Sequence, residues 1–402
     1  MNIAIIDADL IYRKKHRFPN LACMKLSAYH KAQGHDVQLK LDYTNLDQYD
    51  KVFISKVFTD TRAIIDGEEC DFDSIICLPN VEYGGTGFFY DKAPKLPPEI
   101  EHIKPDYNLY NKWVTKKLAD GGKRKDFTYY LDYSIGFLTR GCFRQCSFCV
   151  NKNYKKCEKH SPVLEFMDEK RPKLCFLDDN FFACPHWKEI IAEVKKTGKR
   201  FQFKQGLDER LITDDKIKEL MSWQYDGDYI FAFDNIEDRE LIERKLKRIH
   251  ELYPNTKKHF KFYVLCGYDR NDEWDEEFWK KDIADTFERI KILSKYSALP
   301  YIMRYERCYT SAFAGVYSTL SGWCNQPSIF KKFSYRDYCK CKGMGDKNYA
   351  KYHRDYDKYL KEVKTKGAAW RYMEALEEKF PDIAEQYFDF VPSEIADYGA
   401  DS

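Results

Sequence analysis

Short runs of apolar residues alternate along this chain with longer segments whose apolar residues recur every three or four positions. Short apolar runs rich in branched and aromatic residues are typical of buried β-strands, and the longer periodic segments are typical of amphipathic α-helices. A regular alternation of the two indicates an α/β protein in which helical crossovers join parallel strands.

The N-terminal part, residues 1–100, predicts a small Rossmann-like domain. A helix is expected from Leu21 to Ala32 and ends before Gly34, a residue suited to a helix C-terminus. The predicted strands are IAIID (3–7), VQLKL (37–41), KVFIS (51–55) and SIICL (74–78).

Residues 101–132 predict a linker, because three prolines occur just before it, in KAPKLPPEI, and the polar GGKRKD lies within it. A second α/β series at 133–320 follows and is assigned to the core domain. Its predicted strands are SIGFL (134–138), LCFLDD (174–179), FQFKQG (201–206), YIFAFDN (229–235), KFYVLCG (261–267) and YIMRYE (301–306).

Helical segments between these strands carry their apolar residues on one face. The faces comprise Trp187, Ile190, Ile191 and Val194; Ile217, Leu220 and Met221; Ile242, Leu246 and Ile249; and Ile283, Phe287 and Ile290. Strands joined in this way predict a parallel sheet, open or curled into part of a barrel, with ligands at the carboxyl ends of the strands. The charged remainder, 321–402, predicts a small, mainly helical region.

Charge and hydropathy exclude several classes of protein. The 67 Lys and Arg residues nearly balance the 65 Asp and Glu residues, so the overall charge does not indicate a nucleic-acid partner. No apolar stretch approaches the roughly 20 residues that a membrane span needs, and the N-terminus lacks the features of a secretory signal. We therefore expect a cytoplasmic protein without a membrane partner.

Fourteen cysteines in such a protein point to metal or catalytic roles, since the cytosol disfavours disulfides. Several thiols still suit ordinary packing, because Cys77, Cys175 and Cys266 lie within apolar runs that predict strands.

The segment GFLTRGCFRQCSFCVNK carries a CxxxCxxC pattern formed by Cys142, Cys146 and Cys149. These residues follow a predicted strand, so their thiolates share one loop and can converge on one metal centre. Zinc would require a fourth ligand, which Cys157 or His160 could supply, and the chain would then be a zinc-stabilised binding module without catalysis.

With an aromatic residue, Phe148, before its last cysteine, this motif resembles the signature of the radical S-adenosylmethionine superfamily. The resemblance implies a partial (β/α)6 TIM-like barrel and a 4Fe-4S cluster on the three cysteines. It also implies reductive cleavage of S-adenosylmethionine to a 5′-deoxyadenosyl radical, with an electron donor such as flavodoxin or ferredoxin. The substrate stays unidentified.

The same resemblance implies contacts to S-adenosylmethionine at the ends of the strands. LDDN (177–180) occupies the place of the family's Gly-Gly-Glu, and matches it only in position and polarity. Arg304 ends the sixth strand and could face the cavity. The residues implied to bind the cofactor are Phe148 beside adenine, Asp178 and Asp179 at the methionine amino group, Asp208, Arg210 and Asp234 at the ribose or carboxylate, and Gly267 at adenine.

The N-terminal domain resembles the cobalamin-binding-like domain of one branch of this superfamily, and GGTGF (84–88) adds to the likeness. A cobalamin-dependent radical methyltransferase is therefore an alternative. The DxHxxG loop of many such domains is missing, and His30 lies within a predicted helix.

Other cysteines allow further metal sites. The spacing of Cys23, Cys70 and Cys77 does not suit the second cluster of the related methylthiotransferases. Near the C-terminus, a second cluster, a zinc site or scattered free thiols are all compatible with Cys308, Cys324, Cys339 and Cys341, and scattered thiols are favoured.

Overall fold

A computed structural model describes residues 1–152, 154–205, 207–343 and 366–397 of the chain. The chain divides into two compact units, a first unit of residues 1–205 with 224–226 and a second unit of residues 206–223 with 227–402. This division falls inside the range 133–320 that the sequence assigns to one core domain. Both units contain parallel sheets and helices, which confirms the prediction of a mixed α/β protein.

The first unit contains most of the strands. Its strands are β1 (Asn2–Asp7), β2 (Asp36–Leu39), β3 (Lys51–Ser55), β4 (Ala63–Ile65), β5 (Glu68–Cys70), β6 (Val81–Gly84), β7 (Tyr133–Gly136), β8 (Thr139–Arg140), β9 (Glu158–Lys159), β10 (Lys173–Phe176) and β11 (Arg200–Phe203). Its helices are α1 (Ala8–Tyr12), α2 (Leu21–Ala32), α3 (Asp73–Ile76), α4 (Thr86–Phe89), α5 (Pro98–Glu101), α6 (Asn111–Ala119), α7 (Thr128–Leu131), α8 (Val163–Phe166) and α9 (Trp187–Lys196).

The second unit is mainly helical. Its elements are α10 (Asp214–Ser222), β12 (Tyr229–Ala232), α11 (Arg239–Leu252), β13 (Phe260–Cys266), α12 (Glu276–Lys295), β14 (Leu299–Arg304), α13 (Arg307–Thr310), α14 (Ala314–Cys324), α15 (Pro327–Phe330), α16 (Tyr335–Gly343), α17 (Ala368–Lys379) and α18 (Pro381–Tyr387). The region 321–402, predicted to be mainly helical, is mainly helical where it is described, and residues 344–365 and 398–402 lie outside the described residues.

The N-terminal sheet is parallel and has the strand order β2-β1-β3-β6. Residues Ile3 to Ile6 of β1 have no exposed surface, as an uninterrupted apolar run in a central strand requires. The predicted helix α2 has the expected bounds, and the Asn20 side chain accepts a hydrogen bond from its first turn.

One strand prediction in this sheet is wrong. SIICL does not form a strand: its first residues belong to the short helix α3, in which the N–H groups of Ile75 and Ile76 both bond to the Phe72 carbonyl. The fourth strand is instead β6, whose partly polar VEYG sequence gave little signal. Cys77 is consequently exposed and not a packed core thiol.

The six strands predicted for the core are all present, but their hydrogen bonds divide them into two parallel sheets of three strands. The first unit holds the sheet β11-β10-β7. The segment 224–226 lies along the other side of β11. The backbone N–H of Phe201 donates to the Gln224 carbonyl (3.2 Å), and that of Phe203 donates to the Tyr225 hydroxyl (2.9 Å). The second unit holds the sheet β12-β13-β14.

The helical faces predicted from apolar spacing are confirmed. All of the predicted residues on α9, α11 and α12 are buried, and on α10 only Met221 is half-exposed. Cys175 on β10 and Cys266 on β13 are also buried, as predicted.

Residues 101–132, predicted to form a linker, belong to the core of the first unit. Tyr107, Tyr110 and Val114 are buried in one apolar cluster with β1 and α2. The Tyr107 hydroxyl donates to the Phe166 carbonyl (2.7 Å) and accepts from the Ile135 amide (2.9 Å). The prolines and polar turns of this region therefore punctuate a packed segment and do not mark a solvent-exposed connection.

Of the helices that the structure describes, none combines the length and apolar character needed to cross a membrane.

Burial on α9 allows a stability prediction. Ile191→Ala is expected to lower the free energy of unfolding by about 2–4 kcal/mol, because it leaves a cavity where a side chain was 2% exposed. Leu164→Ala removes a side chain of the same size from a residue that is 70% exposed, and serves as the matched control. Urea unfolding measures both. Equal effects of the two substitutions would contradict the described packing of α9.

Candidate metal centre

The cysteine loop, residues 141–157, begins directly after β8 and ends at β9. These two short strands pair antiparallel, with Thr139 opposite Lys159 and Arg140 opposite Glu158, and so close the loop at its base. Inside the loop the Gln145 side chain donates to the Cys142 carbonyl (3.1 Å). The loop therefore has a defined entry and exit next to the carboxyl end of β7.

Asp178 lies beyond the end of β10 and holds the start of the loop. Its carboxylate accepts the N–H groups of Leu138 (3.0 Å) and Thr139 (2.6 Å), and also the Thr139 hydroxyl (2.6 Å). Burial raises the pKa of Asp178 to about 7, against the lowering effect of these donors. With 1% of its surface exposed, Asp178 has almost no area to offer a ligand. Asp178 therefore positions the backbone of Leu138 and Thr139, and we no longer expect it to contact the methionine amino group.

The next two residues hold the first cysteine itself. Asp179 accepts the N–H of Gly141 (2.8 Å), and the side-chain amide of Asn180 lies 3.4 Å from Cys142 Sγ as a donor. Asp179 is half-buried, so part of its carboxylate can still meet a ligand, as the resemblance implied. Three consecutive side chains after one strand therefore anchor the loop.

Gly141 adopts a backbone conformation that L side chains rarely take, with φ of +100°. A Cβ atom on this residue would lie 2.1 Å from the carbonyl oxygen of Lys156. Only glycine lets the two ends of the loop approach this closely.

The sulfur atoms of the loop lie among hydrogen-bond donors. The Asn151 amide lies 3.4 Å from Cys149 Sγ, and the Lys152 ammonium group contacts the Cys146 carbonyl. Burial raises the pKa of Cys149, while the Asn151 amide and the charge of Lys152 lower it. This surrounding is partly positive and half-buried, which suits thiolates that bind a cation.

The three cysteines are neighbours in one loop but do not form a finished coordination site. Among the described residues, no group of three or more His, Cys, Asp or Glu side chains is arranged to hold a metal ion. The same finding covers Cys308, Cys324, Cys339 and Cys341, all of which are described and buried.

The two residues considered as a fourth zinc ligand have other contacts. Cys157 is buried and donates to the Asn180 carbonyl (3.2 Å). His160 Nε2 lies 3.4 Å from a Glu101 oxygen, and its ring stacks on His102. Neither is grouped with the loop cysteines as a metal site.

Phe148, expected beside adenine, is half-exposed in the loop. Its carbonyl accepts a hydrogen bond from the Tyr90 hydroxyl (3.2 Å), so the turn after α4 contacts the loop on this side.

Asp208 and Arg210 follow β11 in sequence and form an ion-pair network. Arg210 Nε donates to Asp208 (2.8 Å), and its Nη1 donates to Asp238 (3.0 Å). The Nε and Nη1 groups of Arg210 are therefore both hydrogen-bonded to carboxylates of the chain. Binding of a ligand carboxylate by Arg210 would require sharing or exchanging these partners.

Asp234 follows β12 and is half-buried, and it accepts the N–H of Leu265 (3.2 Å). Desolvation raises its pKa, while nearby Arg289 lowers it. Arg289, which sequence reasoning did not select, is 2% exposed and donates to the carbonyls of Phe233, Asp234 and Leu265 at 2.7–2.9 Å. The sequence did not reveal that Arg289 binds these backbone carbonyls, because an arginine within an amphipathic helix is usually exposed.

Gly267 directly follows β13 and has a φ of +73°, and a Cβ there would lie 2.2 Å from Cys308 Sγ. Its N–H donates to Asp282 (2.9 Å). The fold alone therefore requires glycine at this position, whether or not adenine contacts it. Arg304, also considered for the cavity, places its guanidinium 4.6 Å from the Tyr309 ring centroid.

Glu209 is the most unusual carboxyl group that sequence reasoning missed. It lies between Asp208 and Arg210, is 1% exposed, and its Oε1 atom has no hydrogen-bond partner in the described structure. Burial raises its pKa to about 8, and the charge of Asp208 adds to the effect. A buried, protonated carboxyl group is costly and is found more often at functional sites than elsewhere.

The candidate residues fall into two groups by unit. The cysteine loop with Phe148, Asp178 and Asp179 belongs to the first unit, whereas the candidates in the ranges 208–210, 234 and 267 belong to the second. No protein family and no curated protein matches this chain, so an assignment of function depends on these two groups of residues.

Gly141→Ala is expected to lower the affinity of the loop for metal by about tenfold or more, because the entry to the loop must shift away from Lys156. Gly198→Ala is the matched control, since Gly198 also has a positive φ but open space around its Cβ position. Metal content after anaerobic reconstitution with iron and sulfide measures the effect. Equal metal content in the two variants would contradict the described loop entry.

Glu209→Gln is expected to raise the free energy of unfolding by more at pH 9 than at pH 5. Because the folded pKa of about 8 lies above the ordinary value of 4.5, the wild-type protein loses stability as the pH rises between these values. The difference should be on the order of a few kcal/mol. Urea unfolding at both pH values tests it, with exposed Glu378→Gln as the control. A gain that does not depend on pH would show that Glu209 titrates normally.

Proposed function

We propose that this chain is a radical S-adenosylmethionine enzyme that binds a 4Fe-4S cluster through Cys142, Cys146 and Cys149. The observation that carries the proposal is the anchored loop: three thiols in a CxxxCxxC segment next to the carboxyl end of a parallel strand, held by the residues after the neighbouring strand. Ligand sites of parallel α/β folds lie at this edge.

The donor set fits such a cluster. Cysteine thiolates are its usual protein ligands, and three of them leave one iron for an external ligand. The donors from Asn180 to Cys142 Sγ and from Asn151 to Cys149 Sγ suit ligating sulfurs, because hydrogen bonds of this kind orient and tune metal-bound thiolates. When bound, the cluster supplies the electron that cleaves S-adenosylmethionine to a 5′-deoxyadenosyl radical, which removes a hydrogen atom from the substrate.

The residues of the chain have the task of positioning. Asp178 holds the two residues that lead into the loop, and Asp179 fixes the amide before Cys142. Lys152 brings a positive charge near Cys149, which offsets part of the negative charge of the thiolates. The contacts of Asp178 and Asp179 thus hold the backbone at the entry to the cysteine loop.

Within the first unit, Asp179 and Phe148 are proposed to contact S-adenosylmethionine. Contacts of the second-unit residues Asp208, Arg210, Asp234 and Gly267 stay predictions of the sequence resemblance. Asp178 is left out of this set because it is enclosed. The half-exposed Asp179 supplies a carboxylate suited to an ammonium group. An electron donor of the flavodoxin or ferredoxin type completes the proposal.

The proposed architecture is a partial (β/α)6 barrel preceded by a Rossmann-like domain. In support, the two three-stranded parallel sheets supply the six strands that such a barrel needs. The order β2-β1-β3-β6 of the N-terminal sheet supports the Rossmann-like part.

Cobalamin is not part of the proposal. His30 lies near the end of α2, where a crossover helix has returned to the amino edge of the sheet, and its ring stacks on Phe53. Ligands of such folds bind at the opposite, carboxyl edge.

Single substitutions of Cys142, Cys146 and Cys149 by alanine test the function. Each is expected to abolish the brown chromophore, the bound iron and sulfide, and the dithionite-dependent formation of 5′-deoxyadenosine, because each removes a cluster ligand. Metal and sulfide analysis of anaerobically purified protein and chromatography of the cleavage product measure these outcomes.

Cys157→Ala is the matched control, because Cys157 is a nearby thiol outside the proposed ligand set. It should keep iron, sulfide and cleavage activity. Zinc without iron or sulfide in the wild-type protein, lost in Cys157→Ala, would instead establish a zinc-stabilised binding module. Cleavage activity that survives in all three loop variants would refute the enzyme assignment.

A further inference from the structure

The first unit contains a cavity of about 270 Å³ beside the segment that follows β1. Its walls come from α1, the loop 13–17, α6 and the turn at 126–127. None of these residues belongs to the cysteine loop or to the residues that anchor it. The cavity is therefore a feature that the proposed cluster chemistry does not explain.

The sequence RKKHR (13–17) makes one side of this cavity strongly basic. Its two arginines are compensated: Arg13 pairs with Asp60 (2.6 Å) and Arg17 pairs with Asp126 (3.3 Å). These ion pairs hold the two ends of the basic segment, whereas Lys14 and Lys15 between them form no ion pair in the described structure.

The unmatched positive charges are those of Lys14, Lys15 and Lys117. All three line the cavity and are exposed, and in the described part of the chain none has a carboxylate within ion-pair distance. Lys117 comes from α6, about a hundred positions away in sequence, so the balanced overall composition conceals this cluster. Three uncompensated ammonium groups around one cavity attract an anion with several charged oxygens.

Aromatic rings form another part of the wall. Trp113 and Phe127 both line the cavity, and their rings meet edge to face with centroids 5.6 Å apart. His16, beside them, bonds through Nδ1 to the Tyr130 hydroxyl (2.5 Å). Burial lowers the pKa of His16 to about 4, so it adds a neutral, planar surface at neutral pH. Aromatic side chains next to cations provide a stacking surface for a base.

The position of the cavity in the fold agrees with a ligand site. Strands β2 and β3 lie on opposite sides of β1, so the order in which strands are added to the sheet reverses at β1. In parallel α/β sheets, ligands bind at the carboxyl edge of such a reversal. The Asp9 carboxylate ties α1 to the backbone of Val57 after β3, which holds the start of the basic segment in place.

We propose that this cavity binds a nucleoside phosphate, with the phosphate at Lys14, Lys15 and Lys117 and the base against Trp113. The ligand is either a free nucleotide or one nucleotide of a polynucleotide strand. The proposal concerns binding and does not rest on the proposed function.

Binding of a labelled single-stranded oligonucleotide and of a 5′-mononucleotide to the full chain tests the proposal. The assay omits iron, sulfide and S-adenosylmethionine, so failure of the proposed function leaves its result unchanged. Lys14→Ala/Lys15→Ala/Lys117→Ala is expected to weaken binding by about tenfold or more at low salt, and to reduce the salt slope for the oligonucleotide by about 2. Trp113→Leu should weaken binding by about tenfold.

The control is Lys92→Ala/Lys104→Ala/Lys170→Ala, which removes three exposed lysines of the same unit that do not line the cavity. It should bind like the wild-type protein. Similar affinity for both ligands assigns the site to a free nucleotide, and binding of the oligonucleotide alone assigns it to a strand. The proposal is overturned if neither ligand binds, or if the control triple variant loses as much affinity as the cavity variant.

Discussion

The buried carboxylate of Asp178 is the contact on which the candidate metal centre depends. It takes up two backbone amides and a hydroxyl at the exit of β7, and so determines where the cysteine loop begins. The next two residues add hydrogen bonds to the loop itself: Asp179 accepts the N–H of Gly141, and Asn180 donates to Cys142 Sγ. A carboxylate in such an enclosed place is costly by itself, and these donors offset the cost. The loop is thus part of the sheet edge and not an appended segment.

Much of the fold could be predicted from the sequence, because strands and helices leave different apolar spacings. β1 and β3 each contain an uninterrupted apolar run, and helix α2 has the predicted bounds and ends before the predicted glycine. SIICL was mispredicted because a run of four apolar residues suits a short helix as well as a strand. The segment 101–132 was mispredicted because prolines report local turns and carry no information about which tyrosines pack on a distant strand.

The candidate site could be predicted less completely, and for a physical reason. The spacing of Cys142, Cys146 and Cys149 is local in sequence and can by itself suggest a metal site, whereas charge compensation is set by residues far apart. Asp178 was selected from its position after a predicted strand, but only its hydrogen bonds show that it holds the backbone of Leu138 and Thr139. The enclosed Glu209, the buried Arg289 and the uncompensated Lys117 owe their character to neighbours that sequence spacing does not reveal. The structure therefore mainly changed the roles that we assign to residues, because it shows which of them are buried and what each one contacts.

The central claim is that three thiolates hold a four-iron cluster with one iron open to S-adenosylmethionine. Electron paramagnetic resonance of the anaerobically reconstituted, reduced protein tests it most directly, because the spectrum of the cluster responds to ligands on its iron atoms. We predict the signal of a reduced 4Fe-4S cluster whose spectrum changes when S-adenosylmethionine is added. A cluster signal that S-adenosylmethionine leaves unchanged, or no cluster signal in protein that has bound zinc, would contradict the claim.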